Sequence, residues 1–401
     1  MSDRRHTYAV RGELAIGGGL VRGAVVVAGE RIDAVVRDPR DDDLPETVID
    51  AAIVAPGLID LQVNGGFGVE VGAEPAAIRH LAARLPATGV TAFLPTVISS
   101  SPEHYRRVFE AFAAARPAPG ARPLGLHLEG PFLAPARAGA HRRDLIEAAD
   151  DTLFASLLAG EGLRLMTLAP ERPDALGCIR RLRERGVVVS LGHTDATYEE
   201  FVAGVDAGAT MATHLYNAMS PFAHRAPGAI GAGLVEDRIT VGLIADGVHS
   251  HPASLRLVVR AKGWHRIALV SDMMPAAGLA PGRYEFGGQP VIVDAVSAKR
   301  ADGTLAGSIV TLDQAVRNAV RWTEATPAEA IAMASEVPAR LLALADAGRI
   351  AVGYLADLAL FDGDLNVEAT IVGGEFVVDR ARRGDGAGRG KDRASETDQG
   401  R

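Results

Sequence analysis

Short apolar runs recur along the middle of the chain, each bounded by glycine, proline or polar residues. Amphipathic, alanine-rich segments separate most of them, among them AAIRHLAARL, CIRRLRERG, EEFVAGVDAG and ASLRLVVRAKG. Apolar strands that alternate with helices are typical of a parallel sheet that is covered on both faces. The eight runs are VAPGLIDLQV, TAFLPT, LGLHLE, RLMTLAP, VVVSLG, TMATHL, TVGLIA and RIALVSD.

Eight strand–helix units predict an α/β fold of the closed (β/α)8, TIM-like barrel type over residues 56–348. A doubly wound open sheet is the alternative. That alternative is weakened in its dinucleotide-binding form, because no GxGxxG motif follows an early strand.

Further strands are predicted at both ends of the chain. GAVVVAG and RIDAVVRD flank a glycine-containing turn, which indicates a hairpin, and ADLALFDGD and ATIVGGEFVVDR have the same character. We expect residues 1–55 and 349–380 to combine into one small β-sandwich domain. Residues 381–401 are rich in charge, Gly, Ser and Gln, and we expect them to form a disordered tail.

Composition narrows the class of protein. The chain has 401 residues, enough for a barrel with a satellite domain, and its formal net charge is −8. This charge argues against a general nucleic-acid binder. One cysteine, Cys178, excludes an intrachain disulfide. The chain shows neither a secretory apolar core at its start nor an apolar stretch of bilayer length. We therefore expect a cytoplasmic protein with no nucleic-acid or membrane partner.

Polar side chains follow the apolar runs, at the strand ends where barrel enzymes form their active sites. Each such residue alone has an ordinary structural explanation, such as a cap or a solvated loop. Together, six strand ends with this chemistry are hard to explain by packing. The residues concerned are Gln62, Asn64, Glu129, His193, His214, Asn217, His249 and Asp272.

Three of these residues form a suitable metal-binding set. Glu129, His193 and His214 offer one carboxylate and two imidazoles, which suit one Zn²⁺ with a fourth position open. Fe²⁺, Mn²⁺ and Co²⁺ would also be accepted. A divalent ion lowers the pKa of a bound water to about 7 and polarises a carbonyl oxygen. Asp272 is then placed to take a proton from that water and pass it to a leaving amine.

Longer motifs around these residues carry a family resemblance. HLEGPF and ATHLYNAM are the most diagnostic, and LGHTDAT, RAPGAIG, IADGVHSHP, LVSDMMPAAG and DGTLAGSIV accompany them. The chain resembles the N-acetylglucosamine-6-phosphate deacetylase family of the amidohydrolase superfamily over nearly its whole expected ordered length. The resemblance implies that Glu129, His193 and His214 bind the metal and that Asp272 is the catalytic acid/base.

The resemblance also implies roles around the substrate. His141, beside Ala140, corresponds to a residue that orients or polarises the substrate amide. Asn217 and the backbone at Ala218 correspond to sugar-phosphate contacts. Arg225 and His249 correspond to a phosphate-binding pair that is shared across the interface of a homodimer. Ala306 and Gly307 correspond to a wall of the substrate pocket.

The number of metals is predicted by the end of the first strand. Many members of the superfamily carry His-x-His there to hold a second metal, whereas this chain has Gln62-Val63-Asn64. Neutral amides are poor ligands for Zn²⁺ compared with imidazole. We therefore expect one metal per chain, with Gln62 and Asn64 positioning water or substrate.

The implied activity is hydrolysis of the N-acetyl group of N-acetylglucosamine 6-phosphate to glucosamine 6-phosphate and acetate. Another amidohydrolase is one alternative, either a deacetylase for a different amino sugar or a cyclic-amide hydrolase. The cyclic-amide enzymes usually keep His-x-His and often a barrel lysine, and neither is evident here. A non-catalytic barrel scaffold is the other alternative, although it predicts a degraded ligand set. Met273-Met274 and Arg142-Arg143 depart from the family pattern beside the expected pocket, and they leave the exact hexosamine open.

Overall fold

Eight parallel strands form the centre of the structure, a computed structural model that describes residues 7–379. They pair in chain order, and Val63 at the end of the first strand bridges Met273 beyond the eighth, which brings the two edges of the sheet together. Each strand coincides with one predicted run, so the barrel prediction is confirmed and the doubly wound alternative is wrong. The strands are Leu58–Val63, Val90–Ile98, Leu126–Glu129, Leu163–Leu168, Val188–Leu191, Met211–Ala212, Thr240–Leu243 and Ile267–Leu269.

Helices follow the strands and bury their apolar faces in the main core. Local sequence sets their ends: Thr197 and Glu200 form a capping box at the start of the helix Tyr198–Ala207, and Thr326 and Glu329 form another at the helix Pro327–Met333. No helix within residues 7–379 has the length and apolarity needed to cross a membrane. The helices are α1 (Pro75–Arg84), α2 (Pro102–Ala115), α3 (Arg143–Glu147), α4 (Asp151–Ala159), α5 (Ala175–Glu184), α6 (Tyr198–Ala207), α7 (Gly228–Val235), α8 (Pro252–Lys262), α9 (Leu312–Trp322), α10 (Pro327–Met333) and α11 (Glu336–Leu341).

The two chain ends form one seven-stranded sheet. Val48–Pro56 joins them, because it pairs with Thr7–Ile16 on one side and with Leu358–Phe361 on the other. Buried residues of both ends share an apolar cluster of their own. This confirms a small β-domain built from both ends, and its strands form one continuous sheet. The remaining strands are Gly19–Ala28, Arg31–Arg37, Val367–Val372 and Glu375–Asp379.

The domain boundaries at residues 55/56 and 348/349 stay a prediction. The tail predicted for residues 381–401 lies outside the described residues.

A further three-stranded sheet, made of Gly282–Phe286, Gln289–Val293 and Ala298–Lys299, is inserted between the eighth barrel strand and α9. The sequence analysis did not predict it. Its apolar side packs with Ile98 and Met274, so the insertion covers one side of the barrel mouth. Three shorter strands complete the described structure: Gly65–Gly66, Val69–Glu70 and Arg122–Pro123.

Candidate active site

A cavity of about 320 Å3 lies at the carboxyl ends of the barrel strands. Most of the residues predicted for the site line it, although they come from almost the whole length of the barrel. This is the expected place for an active site in a barrel of this type. The predicted residues that line the cavity are Asn64, Glu129, Ala140, His141, His193, His214, Asn217, Ala218, His249, Asp272 and Gly307.

The three predicted metal ligands form a buried cluster on one side of this cavity. One ligand atom from each of Glu129, His193 and His214 lies within 4.8 Å of the others. The Nε2 atoms of His214 and His193 are 2.9 and 3.3 Å from Oε1 of Glu129. His193 Nδ1 donates to the carbonyl oxygen of Arg137 at 2.8 Å, which leaves its Nε2 lone pair for a metal. The donor set therefore fits one divalent ion.

Unusual backbone conformations bring the polar side chains to this place. His193, His214 and Asp272 each lie just beyond a barrel strand, with φ values of 47°, 26° and 51°. Non-glycine residues with such values are uncommon and need support from their surroundings. The carbonyl of His193 accepts from the backbone N–H of Ala134, and that of Asp272 accepts from Ser308. These distant segments hold the strand ends in place.

The charges within the ligand cluster stabilise one another. Burial raises the pKa of Glu129, but the surrounding imidazoles of His193, His214 and His141 together outweigh it and hold that pKa well below its ordinary value. Burial lowers the pKa of His214, yet the hydrogen bond to Glu129 and the negative charges of Glu129 and Asp272 together raise it. The carboxylate thus attracts positive charge to this point, as a metal-binding carboxylate must.

Two neutral amides hold Asp272 beside the cluster. Gln62 Nε2 donates to Asp272 Oδ1 at 2.9 Å and to Glu129 Oε1 at 3.1 Å. Asn64 Nδ2 donates to the same Asp272 oxygen at 2.7 Å. Carboxylates only accept hydrogen bonds, so the amide nitrogens must face them. The Gln62 amide therefore bridges the two carboxylates with N–H groups.

Asp272 is basic enough to exchange a proton near neutral pH. Burial and the negative charge of Glu129 raise the pKa of Asp272 to about 6, against the opposing effects of His214 and His249. A carboxylate with this pKa is suited to general acid–base catalysis.

His141 presents a hydrogen-bond donor to the cavity. The backbone N–H of Ser99 donates to its Nδ1 at 3.1 Å, and the Ser99 hydroxyl lies 2.9 Å from the same atom. Burial, helped by the neighbouring His193, lowers the pKa of His141 to about 3, so the ring is neutral. Its proton is therefore on Nε2, which lies 3.8 Å from Glu129 Oε2.

His249 and Asn217 also line the cavity. Asp246 accepts from Nδ1 of His249 at 2.6 Å, so Nδ1 carries a proton and Nε2 is the atom left for a ligand. Asn217 Nδ2 donates to the carbonyl of His214 at 3.2 Å. The side-chain oxygen of Asn217 takes no part in this hydrogen bond.

Three predicted residues do not line the cavity. Gln62 lies beneath it, where its amide contacts Glu129 and Asp272. Ala306 is buried behind the wall, whereas its neighbour Gly307 is at the surface of the cavity. A Cβ atom on Gly307, which has φ of 65°, would lie 3.1 Å from the Asp272 carbonyl, so glycine is required there. Arg225 lies in an exposed loop and does not line the cavity of its own chain, whereas His249 does.

The expectation that Met273-Met274 and Arg142-Arg143 border the pocket is corrected, because none of the four lines the main cavity. Met273 is buried in the barrel closure, and Met274 packs against the inserted sheet. The two arginines are exposed and pair with Asp144 and Glu147 of α3. These departures from the family pattern therefore lie outside the first layer around the cavity.

Seven residues that line the cavity were not predicted from the sequence: Ile98, Ala136, Arg137, Gly139, Phe286, Thr304 and Leu305. Ala136, Arg137 and Gly139 lie in the segment directly before the predicted Ala140 and His141. Thr304 and Leu305 directly precede Ala306 in the DGTLAGS motif, and this adjacency could have found them. Ile98 lies at the end of the second strand, beyond its predicted end at Thr96. Phe286 belongs to the inserted hairpin that was not predicted.

Comparison with known proteins defines the class. The amidohydrolase family model matches residues 53–377, which include the barrel strands and every proposed ligand. The chain therefore belongs to the amidohydrolase family.

Within that family, the chain is similar to deacetylases of amino-sugar phosphates, which confirms the resemblance seen in its motifs. The N-acetylglucosamine-6-phosphate deacetylase of Homo sapiens is 41% identical over 82% of this chain and 85% of its own length. The N-acetylgalactosamine-6-phosphate deacetylase of Escherichia coli is 39% identical over 82% of this chain and 88% of its own length. A mutant N-acetyl-D-glucosamine-6-phosphate deacetylase from Mycobacterium smegmatis, solved with N-acetyl-D-glucosamine-6-phosphate, superposes with a TM-score of 0.87 at 35% identity, covering 93% of this chain and 99% of that one.

Proposed function

We propose that this protein hydrolyses the N-acetyl group of N-acetylglucosamine 6-phosphate, giving glucosamine 6-phosphate and acetate. The observation that carries the proposal is one cavity that unites a Glu–His–His cluster, a proton-accepting Asp272 and the neutral donor His141. Relatives with the corresponding name support the choice of substrate.

Glu129, His193 and His214 would hold the metal. Two imidazoles and one carboxylate favour Zn²⁺ and also accept Fe²⁺, Mn²⁺ or Co²⁺. When bound, a divalent ion activates water for attack and acts as a Lewis acid toward the amide carbonyl. One ion per chain is proposed, because the Gln62 amide supplies N–H groups where a second cation would have to neutralise Glu129 and Asp272.

The protein's own groups move the protons. Asp272 takes a proton from the attacking water and later passes it to the sugar nitrogen, which must leave as an amine. The Nε2–H of His141 donates to the amide oxygen as negative charge develops there, which is the role of a preorganised oxyanion donor. Asn64 and Gln62 keep the Asp272 carboxylate oriented through the two hydrogen bonds to its Oδ1.

The sugar phosphate would occupy the rest of the cavity. Asn217, the backbone at Ala218, and His249 are proposed as its contacts, with Ala140 and Gly307 as walls and Ala306 supporting Gly307. Arg225 is proposed to reach the phosphate of a partner subunit in a homodimer. It is exposed, lies outside its own cavity, and is close in sequence to Phe222, whose side chain is 57% exposed. A cytoplasmic location stays a prediction.

N-acetylgalactosamine 6-phosphate is a second candidate substrate, since a relative of that name is 39% identical to the chain. The two sugars differ only in the configuration at C4, so the same metal and Asp272 chemistry would serve both. The cyclic-amide and scaffold alternatives have no comparable support.

Acetate release from a panel of sugars tests the proposal. The metal-loaded protein would be given N-acetylglucosamine and N-acetylgalactosamine, each with and without the 6-phosphate. We expect the highest kcat/KM for N-acetylglucosamine 6-phosphate and strongly reduced values without phosphate. A higher kcat/KM for the galacto epimer would assign the second substrate, and no acetate from any of them would refute deacetylation.

A further inference from the structure

Arg300 joins two walls of the candidate active site that are far apart in sequence. Its side chain extends from the inserted sheet to the loop after the third barrel strand. There Nη1 donates to the carbonyl of Gly139 at 3.3 Å and Nη2 donates to the carbonyl of Ala140. These carbonyls belong to the two residues directly before His141.

The loop held by Arg300 supports two functional side chains. His141 itself belongs to it, and the carbonyl of Arg137 accepts the Nδ1 proton of His193 at 2.8 Å. Gly139 packs against the same imidazole, where an added Cβ would lie 3.1 Å from Cε1 of His193. A shift of this loop would therefore move the donor His141 and disturb the orientation of His193.

The segment that carries Arg300 forms the opposite wall. The backbone N–H of Arg300 donates to the carbonyl of Thr304 at 2.9 Å, and Thr304 and Leu305 line the cavity. Ala306 N donates to Ala298 O at 3.0 Å, which fixes the next residues to the inserted sheet. Arg300 thus connects a rigid turn on one wall to the His141 loop on the other.

We propose that Arg300 is a positioning residue, which sets the distance between the His141 loop and the wall formed by Thr304, Leu305 and Gly307. Two donors in one planar fork match two successive carbonyls, whereas the single ammonium of lysine would reach only one of them well. The arginine side chain has no carboxylate partner within hydrogen-bond distance in residues 7–379 to compete for these donors. Its role in catalysis rests on the proposed function, while its role in holding the loop does not.

The test compares Arg300→Met and Arg300→Lys with wild type, and uses Lys299→Met as the matched control. Lys299 is an exposed cation at the last position of the strand Ala298–Lys299, directly before Arg300. Hydrogen exchange of a peptide covering residues 134–145 reports the loop directly. Kinetics with N-acetylglucosamine 6-phosphate, metal content and Tm are measured on the same samples.

We expect Arg300→Met to speed exchange in this peptide and to lower kcat at least tenfold, with one metal retained and a small change in Tm. Arg300→Lys should recover part of kcat, and Lys299→Met should behave as wild type. Unchanged exchange and kcat in Arg300→Met would overturn the proposal, as would a loss confined to Tm and metal content. If wild type releases no acetate, the proposed function fails, and the exchange result still decides whether Arg300 holds the loop.

Discussion

The Gln62 amide bridges the two carboxylates of the site. A histidine at this position would offer a lone pair to a second cation between Glu129 and Asp272. The Gln62 amide instead points its N–H groups at both carboxylates, at 3.1 and 2.9 Å. The two negative charges are thereby bridged by hydrogen bonds, and a second metal gains no favourable ligand at this position.

Metal removal and replacement test this arrangement. Chelator-treated protein should lose acetate release, because the cluster of Glu129, His193 and His214 then lacks its cation. Activity should return as metal is added and reach a plateau near one equivalent per chain. Elemental analysis of the active protein provides the count, and two tightly held metals that are both needed for activity would be incompatible with the Gln62 bridge.

Asp60 is a buried carboxyl group that stabilises the junction of the first and last strands. Its Oδ1 accepts from the backbone N–H groups of Gln62 and Ser271, each at 3.2 Å. Burial raises the pKa of Asp60 from 3.8 to about 7, despite these hydrogen bonds. The folded state therefore binds a proton here more tightly than the unfolded state does.

The stability of the protein should depend on pH through Asp60. Because its folded pKa is raised, its contribution is complete below the unfolded pKa and is lost as pH rises toward 7, with a limiting slope of about 1.4 kcal/mol per pH unit. Asp60→Asn, which keeps the accepting oxygen, should remove this part of the pH dependence. Urea unfolding of both metal-loaded proteins between pH 4 and 7 measures it, and parallel pH profiles would disprove the raised pKa.

The types of the site residues could be predicted from sequence, but their conformations could not. Glu129, His193, His214 and Asp272 follow apolar runs, and parallel strands bring such ends together. The left-handed backbone of His193 depends on Ala134, and that of Asp272 depends on Ser308. The proton position on His141 depends on Ser99. These contacts join distant segments and leave no local pattern.

At the scale of the elements, the barrel strands were predictable and the inserted sheet was missed. The barrel strands are continuous apolar runs because both of their faces are buried. The inserted hairpin is half exposed and short, and its main signal is the Gly287-Gly288 turn, with φ values of 61° and 72°. A pair of glycines between alternating residues indicates a two-residue hairpin turn, and this signal could have located it.

The same turn supports a prediction about the pocket wall. Gly287→Ala and Gly288→Ala both place alanine in a left-handed conformation, which costs about 1 kcal/mol each. Only at Gly287 would the new Cβ approach Ile98, at 2.6 Å from Cδ1, whereas Gly288 faces open space. Ile98 lines the cavity. We therefore expect similar losses of Tm from the strain and a raised KM only for Gly287→Ala, and equal KM values would exclude this contact as a determinant of the pocket.

At the scale of the whole molecule, the structure separates two residues that the sequence analysis grouped. His249 lines the cavity beside Asp272, whereas Arg225 is exposed on a loop. From the same chain, Arg137 also lines the cavity, but its guanidinium is paired with Asp195. We propose that a two-fold dimer supplies Arg225 from the partner; if its loop lies at the interface beside the partner's cavity, symmetry repeats this contact at both sites. The pattern of hydrophobic and polar positions in one chain cannot predict a contact that depends on a second subunit.

Mixing two defective variants tests the shared site. Asp272→Asn lacks the proton acceptor, and Arg225→Ala should have a strongly raised KM for the phosphorylated sugar. In a mixed dimer, one cavity would contain both an intact Asp272 and the partner's intact arginine. Random exchange should then restore up to about a quarter of wild-type activity at low substrate concentration. If activity does not recover although subunit exchange is proven, Arg225 and Asp272 act in the cavity of the same chain.

The proposed deacetylation mechanism depends on Asp272 acting as the proton carrier beside a single metal. Asp272→Asn preserves the shape of the side chain and removes the proton acceptor. The most direct measurement is the rate of acetate release from N-acetylglucosamine 6-phosphate by this variant, with metal content and substrate binding determined on the same sample. We expect one metal per chain, near-normal substrate binding, and a rate at least about 1,000-fold below wild type, equivalent to about 4 kcal/mol. A variant that retains more than about a tenth of the wild-type rate, a barrier change below about 1.4 kcal/mol, would contradict this mechanism.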